Sequence, residues 1–177
     1  MSEDKKFKDS YVLCIGGMNV DKKVQLLENL VLETSNPVVS SLSAGGVARN
    51  IAENLGRLGL SVKMLSVAGD DESFTWLERE TKDIIDFSLV DRLSGKITSN
   101  YTAILDLQGD MCLALADMTI CEEMTPRWLT SHEEAVKEAA LVIADLNLPQ
   151  ETLAALIQLT NEGKIPLAII PVSGPKM

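Results

Sequence analysis

Two adjacent glycines, Gly45 and Gly46, run straight into a segment of helical period from Val47 to Leu58, and this junction constrains the chain more than any other stretch. A glycine pair lets the backbone approach a ligand closely, and the helix behind it offers N–H groups and the positive end of its dipole to oxygen-rich groups. Asn50, one turn in, points its amide at the same ligand. Val47, Ile51, Leu55 and Leu58 recur at helical spacing as the expected buried stripe, with Arg49, Glu53 and Arg57 largely off it. Gly59 supplies the stop.

Short apolar runs alternate with helical segments along the rest of the chain. Tyr11 to Ile15 reads as a buried strand closed by Gly16-Gly17, and 22–27 and 38–42 as weaker strands of a half-exposed flap. After the helix at 46–58, the pattern predicts a strand at 61–67, a helix at 72–82 opened by Asp70-Asp71, and a strand at 87–90. Segments 99–107 and 111–116 flank Gln108-Gly109-Asp110 and predict a hairpin. Thr130 or Ser131 is the expected cap of a helix running to 139, with Glu133 and Glu134 in its first turn. A strand at 141–144, a helix at 149–161 with Gly163 past its end, and a strand at 165–170 complete the series. This order predicts an α/β fold with an open, mostly parallel sheet, helices on both faces, and a small antiparallel β lid. Ligands of such sheets bind at the carboxyl ends of the strands. Gly16-Gly17, Gly45-Gly46, Gly69-Asp70 and Asp145-Leu146-Asn147 all fall there.

A chain of 177 residues, 46% of them hydrophobic, suits one compact unit. Its net charge of −10, with no Lys/Arg cluster beyond Lys5-Lys6 and Lys22-Lys23, argues against nucleic acid or an anionic membrane as partner. Met1 to Ser10 lack an apolar core, and no apolar run approaches the ~18 residues of a membrane span, so a cytoplasmic protein is expected. Cys14, Cys112 and Cys121 lack CxxC spacing and read as reduced packing residues. His132, the single histidine, has no second ligand at metal spacing and reads as part of a solvated helix start, and no metal site is expected.

Asn19 and Asp21 follow Gly16-Gly17 after the first strand. A carboxylate accepts two hydrogen bonds from a vicinal diol, and an amide both donates and accepts, which is what ribose hydroxyls require. The same residues also suit a turn in which they satisfy their own backbone.

The spacing G-G-x-x-x-N-x-A-x-x-L-x-x-L-G over Gly45 to Gly59 resembles the first signature of the PfkB (ribokinase-like) family of carbohydrate and nucleoside kinases, and its wording is most like the pseudouridine kinase branch. Gly16 to Asp21 resembles the family's G-x-x-N-x-D segment. Ser99-Asn100-Tyr101-Thr102 and Ala114 to Met118 resemble its lid, and Ile169 to Ser173 a later strand with Pro-Val-Ser. Gly69-Asp70-Asp71 resembles its G-D-D segment but departs at Ser73-Phe74, and its acids read as helix-capping.

The resemblance implies a ribokinase-like, Rossmann-like fold whose lid, about 22–43 and 97–117, closes over a sugar and often joins two copies. It implies a small-molecule sugar or nucleoside as ligand, with Asn19, Asp21, Gly45, Gly46, Asn50, Tyr101 and Asn147 as substrate-binding residues. Side chains alternate along a strand, so Tyr101 and Ala103 share one face that could line the sugar or base, and Ala103 reads as lid core. It also implies that the chain spans 1–177 as the N-terminal part of a kinase domain whose C-terminal half is absent. The family's catalytic aspartate belongs to a D-x-x-G-A-G-D segment that does not occur in this sequence, so no catalytic residue is expected here, and ATP and Mg2+ are expected only for the intact enzyme. Two other readings stand beside it. One is a non-catalytic sugar-binding or dimerising module. The other, a dinucleotide-binding oxidoreductase, is weakened because no G-x-G-x-x-G follows the first strand.

Overall fold

The computed structural model describes residues 10–172, in the chain order β1 (Val12–Ile15), β2 (Asn19–Leu26), β3 (Val38–Gly45), α1 (Val47–Arg57), β4 (Val62–Gly69), α2 (Glu72–Thr81), β5 (Asp86–Leu93), β6 (Asn100–Leu105), β7 (Met111–Asp117), a 3-10 turn (Thr119–Glu123), α3 (Pro126–Ser131), α4 (Glu133–Glu138), β8 (Leu141–Asp145), α5 (Gln150–Gly163) and β9 (Leu167–Ile170). The readings placed on Met1 to Asp9, Lys5-Lys6 among them, and on Ser173 lie outside these residues.

β1 is the centre of the main sheet because every one of its side chains is apolar and alternate ones serve opposite faces. Leu13 and Ile15 pack with Leu65, Val67 and Val142 beneath Leu129, Val136 and Leu156 of α3, α4 and α5. Val12 and Cys14 pack on the other face with Met64, Ile143, Ala48, Ala52 and Phe74, from α1 and α2 among others. The strand order is β5-β4-β1-β8-β9, and every pair is parallel. The lid is a second sheet of order β3-β2-β6-β7, made of two antiparallel pairs. β2 and β6 join them in parallel, because both strands leave the same end of the main sheet.

Several local expectations are corrected. The lid strand begins at Asn19 rather than 22, so Asn19 and Asp21 lie in an extended strand rather than a turn. On α1 the buried residues are Ala48, Arg49 and Ala52, whereas Leu58 is exposed. The helix lies so close to the sheet that small side chains face it, and the larger Ile51 and Leu55 sit at the margin. Thr130 and Ser131 do not cap a helix. Their hydroxyls donate back to the carbonyls of Pro126 and Trp128, while Thr125 caps α3 through the N–H of Trp128 with Pro126 as its first residue. Gly163 stays within α5, and Lys164 takes the left-handed position that ends it. His132 is not a solvated start: its Nε2 lies 2.9 Å from Asp91, which also accepts from the indole N–H of Trp128 at 2.8 Å. This cluster ties the sheet edge at β5 to α3. Asp71 does cap α2, through the N–H of Phe74, and also holds Thr98 at the root of the lid.

Cys14 and Cys121 are buried and Cys112 is exposed on β7. Burial, with Asp145 adding to it, pushes the Cys14 thiol up to about 12. Titration with a thiol reagent should therefore modify Cys112 alone in the native protein and the other two thiols only in denaturant. Rapid native modification of Cys14 would contradict this packing.

Candidate functional site

The carboxyl ends of β1 and β8 meet the amino end of α1 around one buried side chain, Asp145. Its carboxylate accepts from the N–H of Gly17 at 3.1 and 3.2 Å, from the N–H of Ala48 at 2.9 Å, and from the N–H and side-chain amide of Asn147 at 2.9 and 3.1 Å. Three chain segments remote in sequence are thereby held together by one group. Burial pushes Asp145 up, against the hydrogen bonds from Asn147, Ala48 and Gly17, which pull it down. The N–H of Ala48 was expected to face a ligand and instead meets this internal carboxylate, which completes the helix end and matches its dipole.

The two glycines of the junction are required by close approach. A Cβ on Gly46, whose φ is 99°, would strike the carbonyl of Gly17, and one on Gly45 would strike the carboxylate of Asp21. Gly45 pairs with Asn19 in the lid register, and Asp21 pairs with Ser43 on one side and Tyr101 on the other. Asn19, Asp21, Ser43, Gly45, Tyr101 and Ala103 thus share one face at the root of the lid. The Asn19 amide donates to Asp21. Burial pushes Asp21 up, while Asn19 and the charges of Arg49 and Lys23 pull it down. The Tyr101 hydroxyl lies 3.6 Å from the Met111 sulfur and is not bonded to Asp21.

Asn50 is exposed on the first turn of α1, and Asn147 is held on the loop after β8. The seven expected residues therefore gather at the carboxyl end of the main sheet and the adjoining lid root. Asp145 and Arg49 are the residues that sequence reasoning undervalued. An acid closing the apolar run Leu141 to Ala144, and an arginine directly behind a glycine pair, were the available signals. A cleft of about 570 Å³ opens elsewhere, at the amino ends of β4 and β5, lined by Leu60, Lys82, Asp86 and Phe87 among others, with none of these seven residues. Among the described residues, no group of three or more His, Cys, Asp or Glu side chains is placed to hold a metal. No helix among them is long and apolar enough to cross a membrane.

Replacing Asp145 with Ala leaves several buried N–H groups without their acceptor, each costing about 1–3 kcal/mol. Asp145→Ala should lower unfolding free energy in urea by about 3 kcal/mol or more. An unchanged unfolding midpoint would show that Asp145 does not hold these three segments together.

The pfkB family carbohydrate kinase model matches residues 9–177. A pseudouridine kinase of Escherichia coli is 35% identical over 169 residues, which is 94% of this chain and 53% of that protein. A carbohydrate kinase from Agrobacterium tumefaciens superposes with a TM-score of 0.83 at 31% identity, over 94% of this chain and 55% of that one. An Arabidopsis thaliana ribokinase solved with ribose and ATP superposes with a TM-score of 0.83 at 14% identity, over 90% of this chain and 53% of its own, a likeness of fold alone. The chain spans about half the length of these relatives. On the family match, and on the glycine junction and lid it aligns with, the chain belongs to the pfkB family of carbohydrate kinases.

Proposed function

We propose that this chain is the sugar-binding part of a carbohydrate or nucleoside kinase, with pseudouridine or a related ribose-containing compound as substrate. The observation that carries the reading is the shared face of Asn19, Asp21, Gly45 and Tyr101 at the lid root, beside the segments that Asp145 gathers. An ionised Asp21 accepts from two adjacent hydroxyls, and no side chain on Gly45 intrudes between them. The likeness to the E. coli pseudouridine kinase supports the choice of substrate.

Binding and orientation are what these residues do. In the whole enzyme ATP, with Mg2+, supplies the phosphoryl group. No described residue is assigned to either, and the family's catalytic D-x-x-G-A-G-D segment does not occur here. The three free cysteines suit a reducing cytoplasm as the place of action.

A second reading, a non-catalytic sugar-binding or dimerising module, draws on the opposite face of the lid. Leu42 and Leu115 stand on one rung across β2 and β6, and Leu113 stands two residues along, all exposed. Two copies pairing through this face would cover them. Leu115→Glu should then shift sedimentation from dimer to monomer, and a monomeric wild type would discard the pairing.

Calorimetric titration with pseudouridine tests the main reading. Asp21→Ala removes charge-assisted hydrogen bonds of about 1.5–3 kcal/mol each and should weaken binding on the order of a hundredfold or more, with the circular dichroism spectrum unchanged. Asn50→Ala should weaken it less. The chain alone should give no phosphorylated nucleoside with Mg-ATP. Equal affinity in Asp21→Ala would place the sugar elsewhere, and turnover by rigorously purified chain would overturn the division of labour.

A further inference from the structure

Arg49 is 2% exposed, one of the largest fully buried side chains in the protein, although it stands next to an exposed asparagine in the first turn of a helix. A cation is retained in such a place only when its donors are occupied. Its Nε donates to the carbonyl of Gly45 at 3.0 Å and its Nη2 to the carbonyl of Ala44 at 3.3 Å, the last two residues of lid strand β3. The same Nη2 donates to Oδ1 of Asn50. Nη1 forms an ion pair with Glu53 at 2.8 Å without hydrogen-bond alignment. Burial pushes Glu53 up, but Arg57 and Arg49 outweigh it and hold that carboxyl below its usual range.

We propose that Arg49 is a positioning residue of the sugar site: its guanidinium clamps the hinge between lid and body and turns the Asn50 amide so that its nitrogen faces the substrate. The inference rests on the sugar-site reading for its ligand and on the geometry of α1 for everything else. A guanidinium carries donors only, so the atom Asn50 offers it must be the oxygen, and the amide nitrogen is directed away. Asn50 then presents a donor, while Asp21 across the Gly45 junction presents acceptors. The two together match a diol, whose hydroxyls donate to the carboxylate while one hydroxyl oxygen also receives the amide N–H. Ala44 and Gly45 are also where the lid meets the helix, so the two carbonyl bonds set the lid angle at the residue that packs on Asp21.

The charged and titratable groups facing Asp21 are Lys23 from its own strand, Arg49 from α1 and Tyr101 opposite on β6, with Ser43 and Gly45 from β3. Removing the charge of Arg49 should therefore raise the Asp21 midpoint, so that the acid limb of ligand binding moves to higher pH.

The test compares wild type, Arg49→Met and Arg49→Lys in the whole chain. Carboxyl carbon NMR without ligand reads the Asp21 titration, side-chain amide signals read Asn50, and calorimetry from acid to neutral pH reads pseudouridine binding. Arg49→Met should raise the Asp21 midpoint, move the Asn50 side-chain amide shifts toward those of a free asparagine and weaken pseudouridine up to about tenfold, the loss of one neutral hydrogen bond. Arg49→Lys should keep the Asp21 midpoint near wild type but still disturb Asn50, because an ammonium lacks the fork. If Arg49→Met does not fold, Arg49→Lys carries the test. Unchanged Asn50 signals in a folded variant of either kind would overturn the proposal. Failure of wild type to bind pseudouridine would sink the sugar reading, while the Asp21 and Asn50 signals would still decide the role of Arg49.

Discussion

One buried carboxylate holds the carboxyl end of the main sheet together. Asp145 sits where β1, β8 and α1 converge, and it satisfies backbone N–H groups from Gly17, Ala48 and Asn147 that would otherwise be stranded in a low-dielectric interior. The apolar sheet beneath it is generic to parallel α/β proteins. The convergence of three loops at hydrogen-bond distance is not, because an apolar core exerts no directional pull on backbone amides. Glycine at 46 allows α1 to start against the carbonyl of Gly17, and Asp145 supplies the acceptor that makes this close approach stable.

The lid depends on that arrangement at its root. β2 leaves directly from the loop that Asp145 holds, and β3 returns into α1 through Gly45-Gly46. Its far side is braced separately, where Asp71 caps α2 and accepts from the backbone and hydroxyl of Thr98, two residues before β6. Asp71 is held below its usual range because, although burial pushes it up, the hydrogen bonds from Thr98, Phe74 and Ser73 outweigh that effect. Its contribution to stability is therefore present above the ordinary carboxylate pKa and is lost as pH falls through the lowered one.

Much of this was legible in the sequence. The run Tyr11 to Ile15, the helix behind Gly46 and the turn at Gln108-Gly109-Asp110 each carry a local signal that the structure keeps, although the buried face of that helix does not follow the stripe Val47, Ile51, Leu55 and Leu58. The glycine junction was readable because close backbone approach leaves its trace in residue type. What stayed hidden depended on partners remote in sequence. Arg49 was placed on the solvent side by helical period, since no periodicity shows that β3 would bring two carbonyls and Asn50 would bring its oxygen to receive a guanidinium. The pairing of Asp91 with Trp128 and His132 spans about 40 positions and left no pattern either. The cap expected at Thr130 or Ser131 falls inside α3, where both hydroxyls bond back to carbonyls of the same helix, and Thr125 caps the helix instead.

We place the substrate, as a proposal, at the lid root, on the face of Asp21 and beside the loops that Asp145 gathers. Amide shift mapping of the isotopically labelled chain with pseudouridine tests it most directly. Shifts concentrated at Gly17, Asn19, Gly45, Asn50, Tyr101 and Asn147 are the predicted result. Shifts confined to the cleft around Leu60, Lys82 and Phe87, or none at saturating ligand, would contradict it.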